Sequence, residues 1–148
     1  MNDKLRFENQ ETSINPSNKL VFIDSSVKNQ LTLLQNIPQR SQIILIGLEE
    51  NGVEKIMLTL HEHHSRQSIH IIAQGYPGCL YLGNTQLSLD TLDRYGWDLQ
   101  TWPVSQILLS GCNVTAGDAG SEFMSKLQQL TGANIAVDFC NKSGEKWL

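Results

Sequence analysis

The sequence predicts one α/β domain, a three-layer sandwich whose central sheet is mostly parallel, and three observations carry that prediction. Short continuous apolar runs recur along the chain, amphipathic stretches at helical spacing lie between them, and glycine, proline or asparagine marks the junctions. A chain of 148 residues is the size that closes one hydrophobic core. Alternating strands and helices imply right-handed crossovers, which make a sheet parallel and cover it on both faces.

Each element has its own reason. Residues 1–19 are polar, with a lone Pro16 and no periodicity, and read as a flexible leader to a single domain over 20–148. Leu20-Val21-Phe22-Ile23 is rich in β-formers and ends at Asp24, as a strand buried on both faces would. Ser25 and Ser26 are placed to cap a helix carrying Val27, Leu31 and Leu34, which Pro38 stops. Ile43-Ile44-Leu45-Ile46 reads as a second buried strand, and Asn51-Gly52 as a turn. Val53, Ile56, Met57 and Leu60 then form the apolar stripe of a helix.

Residues 69 to 73 give a third strand. Leu80-Tyr81-Leu82 with Gly83-Asn84 reads as a small strand and tight turn, an excursion expected at the edge of the sheet. Ser88 precedes a predicted helix with Leu89, Leu92 and Leu99 on one face, closed by Pro103 and weakened near its end by Gly96. Ile107-Leu108-Leu109 is the fourth strand, followed by Gly111-Cys112. A helix with Phe123, Leu127 and Leu130 ends at Gly132, and Ile135-Ala136-Val137 is the fifth strand.

Composition excludes several classes of function. The net charge of −4, with scattered lysines and arginines, provides no footprint for a phosphate backbone, so nucleic acid is not an expected partner. No apolar run has the length to cross a bilayer, and the N-terminal residues lack the core of a signal peptide, so no direct membrane insertion is expected. Cys79, Cys112 and Cys140 are an odd number at spacings that fit neither a disulfide framework nor a paired zinc motif. Reduced thiols in the cytoplasm are the expectation.

In open parallel sheets the functional crevice lies beyond the carboxyl ends of the strands, where strand order reverses. That directs attention to Gln74-Gly75 after the third strand and Gly111-Cys112 after the fourth. Three stretches here are distinctive: Ile69-His70-Ile71-Ile72-Ala73-Gln74-Gly75, Leu82-Gly83-Asn84-Thr85-Gln86-Leu87, and Leu108-Leu109-Ser110-Gly111-Cys112-Asn113-Val114-Thr115-Ala116-Gly117. They resemble the domain-of-unknown-function family 4347, from about Leu20 to Trp147. The resemblance implies a caspase-like fold with flavodoxin-like strand order. It also implies a histidine-glycine pair after strand three, a glycine-cysteine pair after strand four, and relatives that stand at the start of large cyanobacterial surface proteins. Here Ala73-Gln74-Gly75 stands where the family has Ser-His-Gly.

The chemistry of that departure is direct. An amide cannot take up and return a proton near neutral pH, whereas a cysteine nucleophile is activated by an adjacent imidazole. Without a cationic neighbour a thiol keeps a pKa of about 8.5, and only a few per cent is thiolate at neutral pH. Cys112, Gln74, Gly75 and Gly111 therefore read as a vestigial catalytic site, with no catalytic residue expected to act. His70 faces the same side as Gln74 but lies roughly 13 Å upstream along the strand by the usual rise, and reads as a hydrogen-bonded structural residue. His61-Glu62-His63-His64 lacks the histidine spacing of a zinc helix, so no metal is expected. Asp138, after the fifth strand, reads as a solvated carboxylate. Tyr76 and Trp97 read equally as contact surface or core.

The function expected is that of a pseudoenzyme, a rigid protein-binding or scaffolding module without a cofactor. Two alternatives stand beside it: a cysteine peptidase or related hydrolase using Cys112, and a small-molecule binder at the switch point with Gln74 and Cys112 as polar contacts. Against the large members of that family, the sequence reads as the domain without calcium-binding or adhesive modules after Trp147, expected either as a stand-alone domain or as a fragment of a longer protein. Acting alone, a pseudoenzyme is expected to associate with another protein, with self-association left open.

Overall fold

A computed structural model describes residues 19–28, 30–35, 37, 40–63, 67–110 and 113–138. Residues 1–18, the predicted leader apart from Lys19, fall outside that set, as do Pro38, His64, Gly111, Cys112, Cys140 and Trp147. Among the described residues twelve elements follow in order: β1 Leu20–Asp24, α1 Gln30–Leu34, β2 Gln42–Ile46, α2 Gly52–Glu62, β3 Gln67–Ile72, β4 Gly75–Tyr76, β5 Cys79–Leu82, β6 Thr85–Ser88, α3 Gly96–Gln100, β7 Val104–Ser110, α4 Gly117–Thr131 and β8 Asn134–Asp138.

The five predicted core strands form one sheet in the order β2-β1-β3-β7-β8, and each neighbouring pair runs parallel. Helices flank it, consistent with a three-layer sandwich. Strand pleating sends alternate residues to opposite faces. One set, including Leu20, Phe22, Ile69, Ile71, Ile107 and Leu109, joins Val53, Ile56 and Leu60 of α2 and Phe123 and Leu127 of α4 in the larger core. Full burial of each such side chain contributes about 1.5–3 kcal/mol. The other set, Val21, Ile23 and Ile72, is covered by Val27, Leu34 and Ile37.

Local chemistry sets the boundaries. Asn51 caps α2 by accepting from the Glu54 N–H at 3.0 Å. Gly132 ends α4 in the left-handed conformation, as its position predicts. Four expectations need correction. Ser25 and Ser26 do not cap α1: residues 25–28 are not helical, the described helix is Gln30–Leu34, and both Ser26 donors bind Asp24. β2 is an edge strand with Ile43 and Leu45 43% and 50% exposed, because a continuous apolar run does not distinguish a central strand from an edge.

The predicted helix from Ser88 is mostly a series of turns, and only Gly96–Gln100 is helical. Ser88 itself ends β6. The Thr91 hydroxyl, donating to the Gln86 carbonyl at 2.8 Å and accepting from the Ser88 N–H at 2.8 Å, fixes a turn where a helix would begin. Finally, the excursion at Leu80 does not extend the central sheet. It is a separate antiparallel meander, β4-β5-β6.

Candidate functional site

Strand order reverses between β1 and β3, because β2 lies beyond β1 while β7 and β8 lie beyond β3. The switch point is thus one strand away from β7, and only the β3 half of the predicted pair borders it. The last registered pair of β3 and β7 is Ile72 with Ser110, so Gln74 and Cys112 each lie two residues past it. Gln74 is exposed. Gly111 and Cys112 lie outside the described residues.

The residues around that gap are closely joined. Ala73 N–H donates to the Ser110 carbonyl at 3.1 Å, and Gly78 N–H to the Val114 carbonyl at 2.8 Å. Gly75 leaves no room for a side chain: a Cβ there would sit 2.0 Å from the Cys79 carbonyl oxygen and 2.8 Å from Val114 Cγ2. The chain on each side of Gln74 therefore touches Ser110 and Val114, which lie on either side of Gly111 and Cys112 in the sequence. Asn113 has φ 69°, a left-handed conformation that asparagine tolerates better than most residues. The Gln74 carbonyl is itself held by the Tyr81 N–H at 2.8 Å.

His70 behaves as the sequence predicts, as a hydrogen-bonded strand residue. It is 9% exposed, and its Nε2 lies 2.7 Å from the Ser110 hydroxyl. Distance along its own strand separates it from Gln74, yet the imidazole reaches across to the end of β7, a contact that spacing within one strand does not reveal. Asp138 is registered beside Ser110 at the end of β8.

Sequence reasoning missed Asp24. This carboxylate, 1% exposed at the end of β1, accepts from the Gly83 N–H at 2.6 Å, the Ser26 N–H at 3.0 Å and the Ser26 hydroxyl. The β5–β6 turn is thereby pinned to the β1 side of the switch point. Asn84 N–H donates to the Glu50 carbonyl at 2.8 Å, fixing the same turn to the loop after β2. The signal available in the sequence was a strand-end aspartate and a glycine turn 59 residues later.

The outer surface of the meander carries Tyr76, 49% exposed, with its ring edge-on to Tyr81 at 5.8 Å. Beneath it lies Cys79, 1% exposed. Burial pushes the Cys79 thiol above its ordinary pKa, the Tyr76 hydroxyl opposes that shift, and Asp90 adds to it. Tyr76 is raised in turn, chiefly by its hydrogen bond to Cys79. Cys79 is expected to resist iodoacetamide at pH 8 in the native chain, reacting at least about tenfold slower than in denaturant. Mass spectrometry of alkylated peptides measures this, and equal rates would show the thiol to be open to solvent.

His61 on α2 and His63 at its C-cap have structural partners. His61 Nε2 lies 3.2 Å from the Thr101 carbonyl, and His63 lies 2.9 Å from the Thr59 carbonyl and 3.3 Å from Gln42 Oε1. Among the described residues no group of three or more metal-ligating side chains gathers, and no helix is long and apolar enough to cross a membrane.

A parallel five-stranded sheet flanked by helices, with a small antiparallel meander between β3 and β7, defines the class of this α/β domain. Comparison with known families matches residues 20–146 to the family described as "Domain of unknown function (DUF4347)", and the chain belongs to it. No curated protein and no solved structure matches the chain.

Proposed function

We propose that the chain is a non-catalytic, caspase-like domain that works as a protein-binding or scaffolding module, its contact surface built around the rim formed by Gln74 and the meander. The observation that carries this reading is the amide at position 74, where the family resemblance puts an imidazole. Gln74 hydrogen-bonds but transfers no proton. Further support comes from Asp24, whose carboxylate is engaged by the chain's own Gly83 and Ser26. Exposed Tyr76 beside Gln74 supplies the kind of aromatic group that anchors protein contacts.

A second reading, a hydrolase with Cys112 as nucleophile, has one observation in its favour. His70 bonds to Ser110, two residues before that cysteine. One experiment separates the two. The purified chain, incubated with a mixed peptide library, is expected to produce no cleavage that Cys112→Ala removes, because the thiolate fraction is small and no group protonates the leaving amine. Turnover abolished by Cys112→Ala would establish the hydrolase and end the non-catalytic reading.

A further inference from the structure

Among the described residues β2 has a strand on one side only. Its Gln42 N–H donates to the Lys19 carbonyl at 2.8 Å, and its Ile46 carbonyl accepts from the Ser25 N–H at 2.9 Å. Peptide groups along a parallel strand alternate in direction, so Gln42, Ile44 and Ile46 face β1 while Ile43 and Leu45 face outward. The Leu45 carbonyl agrees: it accepts from Lys55 Nζ at 2.8 Å, on the side away from β1. The side chains of Ile43 and Leu45 lie on the face that carries Val21 and Ile23. Those two neighbours are buried, whereas Ile43 is 43% and Leu45 50% exposed. An apolar edge with outward N–H and C=O groups is a template for strand pairing.

We propose that β2 is a self-association edge, at which two copies of the chain pair their β2 strands antiparallel about a two-fold axis through Ile44. That axis sets Ile43 opposite the partner's Leu45, and Leu45 opposite the partner's Ile43. These are the two residues whose peptide groups point outward, so the register makes both of them hydrogen-bonded pairs. No other two-fold register pairs one with the other. It also gathers four apolar side chains on one face of a continuous ten-stranded sheet.

Charge favours a second copy over an unrelated partner. Arg40, just before β2, and Glu49 and Glu50, just after it, are all exposed, so an antiparallel partner brings the basic end of one β2 towards the acidic end of the other. Lys55 keeps the association weak. Its ammonium occupies one lone pair of the Leu45 carbonyl while holding Glu50 at 2.8 Å, and the second lone pair remains for the partner. The inference rests on no part of the crevice reading.

Sedimentation equilibrium of the full chain tests it. A reversible monomer–dimer equilibrium is expected, half-associated on the order of 0.1 mM, as for a small interface. Ile43→Pro removes an outward N–H without removing a bond to β1, and Leu45→Lys sets an ammonium against the partner. Each is expected to raise the dissociation constant at least about tenfold while circular dichroism shows the fold retained. Should Ile43→Pro unfold, Leu45→Lys decides. A chain that stays monomeric to about 1 mM, or a dimer that persists in a folded Leu45→Lys variant, would overturn the proposal.

Discussion

Replacing Asp24 by alanine is expected to destabilise the chain by about 3 kcal/mol, because three donors lose a buried anionic acceptor at once. The Gly83 N–H, at 2.6 Å from the carboxylate, is the most consequential of them. It belongs to a turn wedged against the loop after β2, where water has no room to replace the lost oxygen: a Cβ on Gly83 would sit 2.0 Å from the Glu50 carbonyl oxygen and 2.9 Å from that of Gly47. Gly83 also has φ +67°, so Gly83→Ala meets both a steric barrier and a left-handed backbone. Since both substitutions undo one docking event, their effects are expected to be sub-additive by roughly 1 kcal/mol or more. Urea denaturation of the two single variants and the double variant measures the coupling. Full additivity would mean that Asp24 stabilises the end of β1 alone, and that the turn docks without it.

The contrast between Asp24 and the core strands shows what a single sequence makes legible. The three central strands, β1, β3 and β7, were readable because a strand covered on both faces is apolar through its middle, and runs such as Leu20-Val21-Phe22-Ile23 have few other uses. The same rule misled at Ile43-Ile44-Leu45-Ile46. Its composition is that of a central strand, yet it occupies an edge, and nothing local records which strand ends the sheet. The turns around Thr91 were hidden for a different reason: leucines at helical spacing signal a buried stripe, but a hydroxyl that bonds the Ser88 N–H and the Gln86 carbonyl outcompetes the helix locally.

Residues of the candidate site were found in proportion to how local their chemistry is. Gln74 stood out against the Ser-His-Gly motif that the family resemblance implies. Asp24 did not, since its partner is a backbone N–H far along the chain, and a strand-end aspartate before two serines has the look of a helix cap. His70 was rightly placed on a strand, but its bond to Ser110 follows from the β3–β7 register, which pairs Ile72 with Ser110 and brings an imidazole one pleat away.

That register sets the expected result of placing an imidazole at position 74. In Gln74→His, iodoacetamide alkylation of Cys112 at pH 7 is expected to accelerate by on the order of tenfold, because an adjacent imidazolium that brings a thiol pKa from about 8.5 to near 7 raises the thiolate from a few per cent to about half. The geometry gives the reason to expect contact: Ala73 bonds Ser110, Gly75 packs on Val114, and position 74 lies between them. Cys79, buried beneath Tyr76, supplies an internal reference whose rate should not change. Rates followed from pH 6 to 9 by peptide mass spectrometry would show the Cys112 profile shifting to lower pH in the variant alone. Faster alkylation accompanied by peptide turnover would mean that the base was the sole defect. Acceleration without turnover would mean that the crevice is geometrically intact but that a substrate groove has been lost as well, in keeping with the binding reading. An unchanged Cys112 rate would mean that the two side chains do not meet, and the reading of Gln74 as the vacated base position would fall with it.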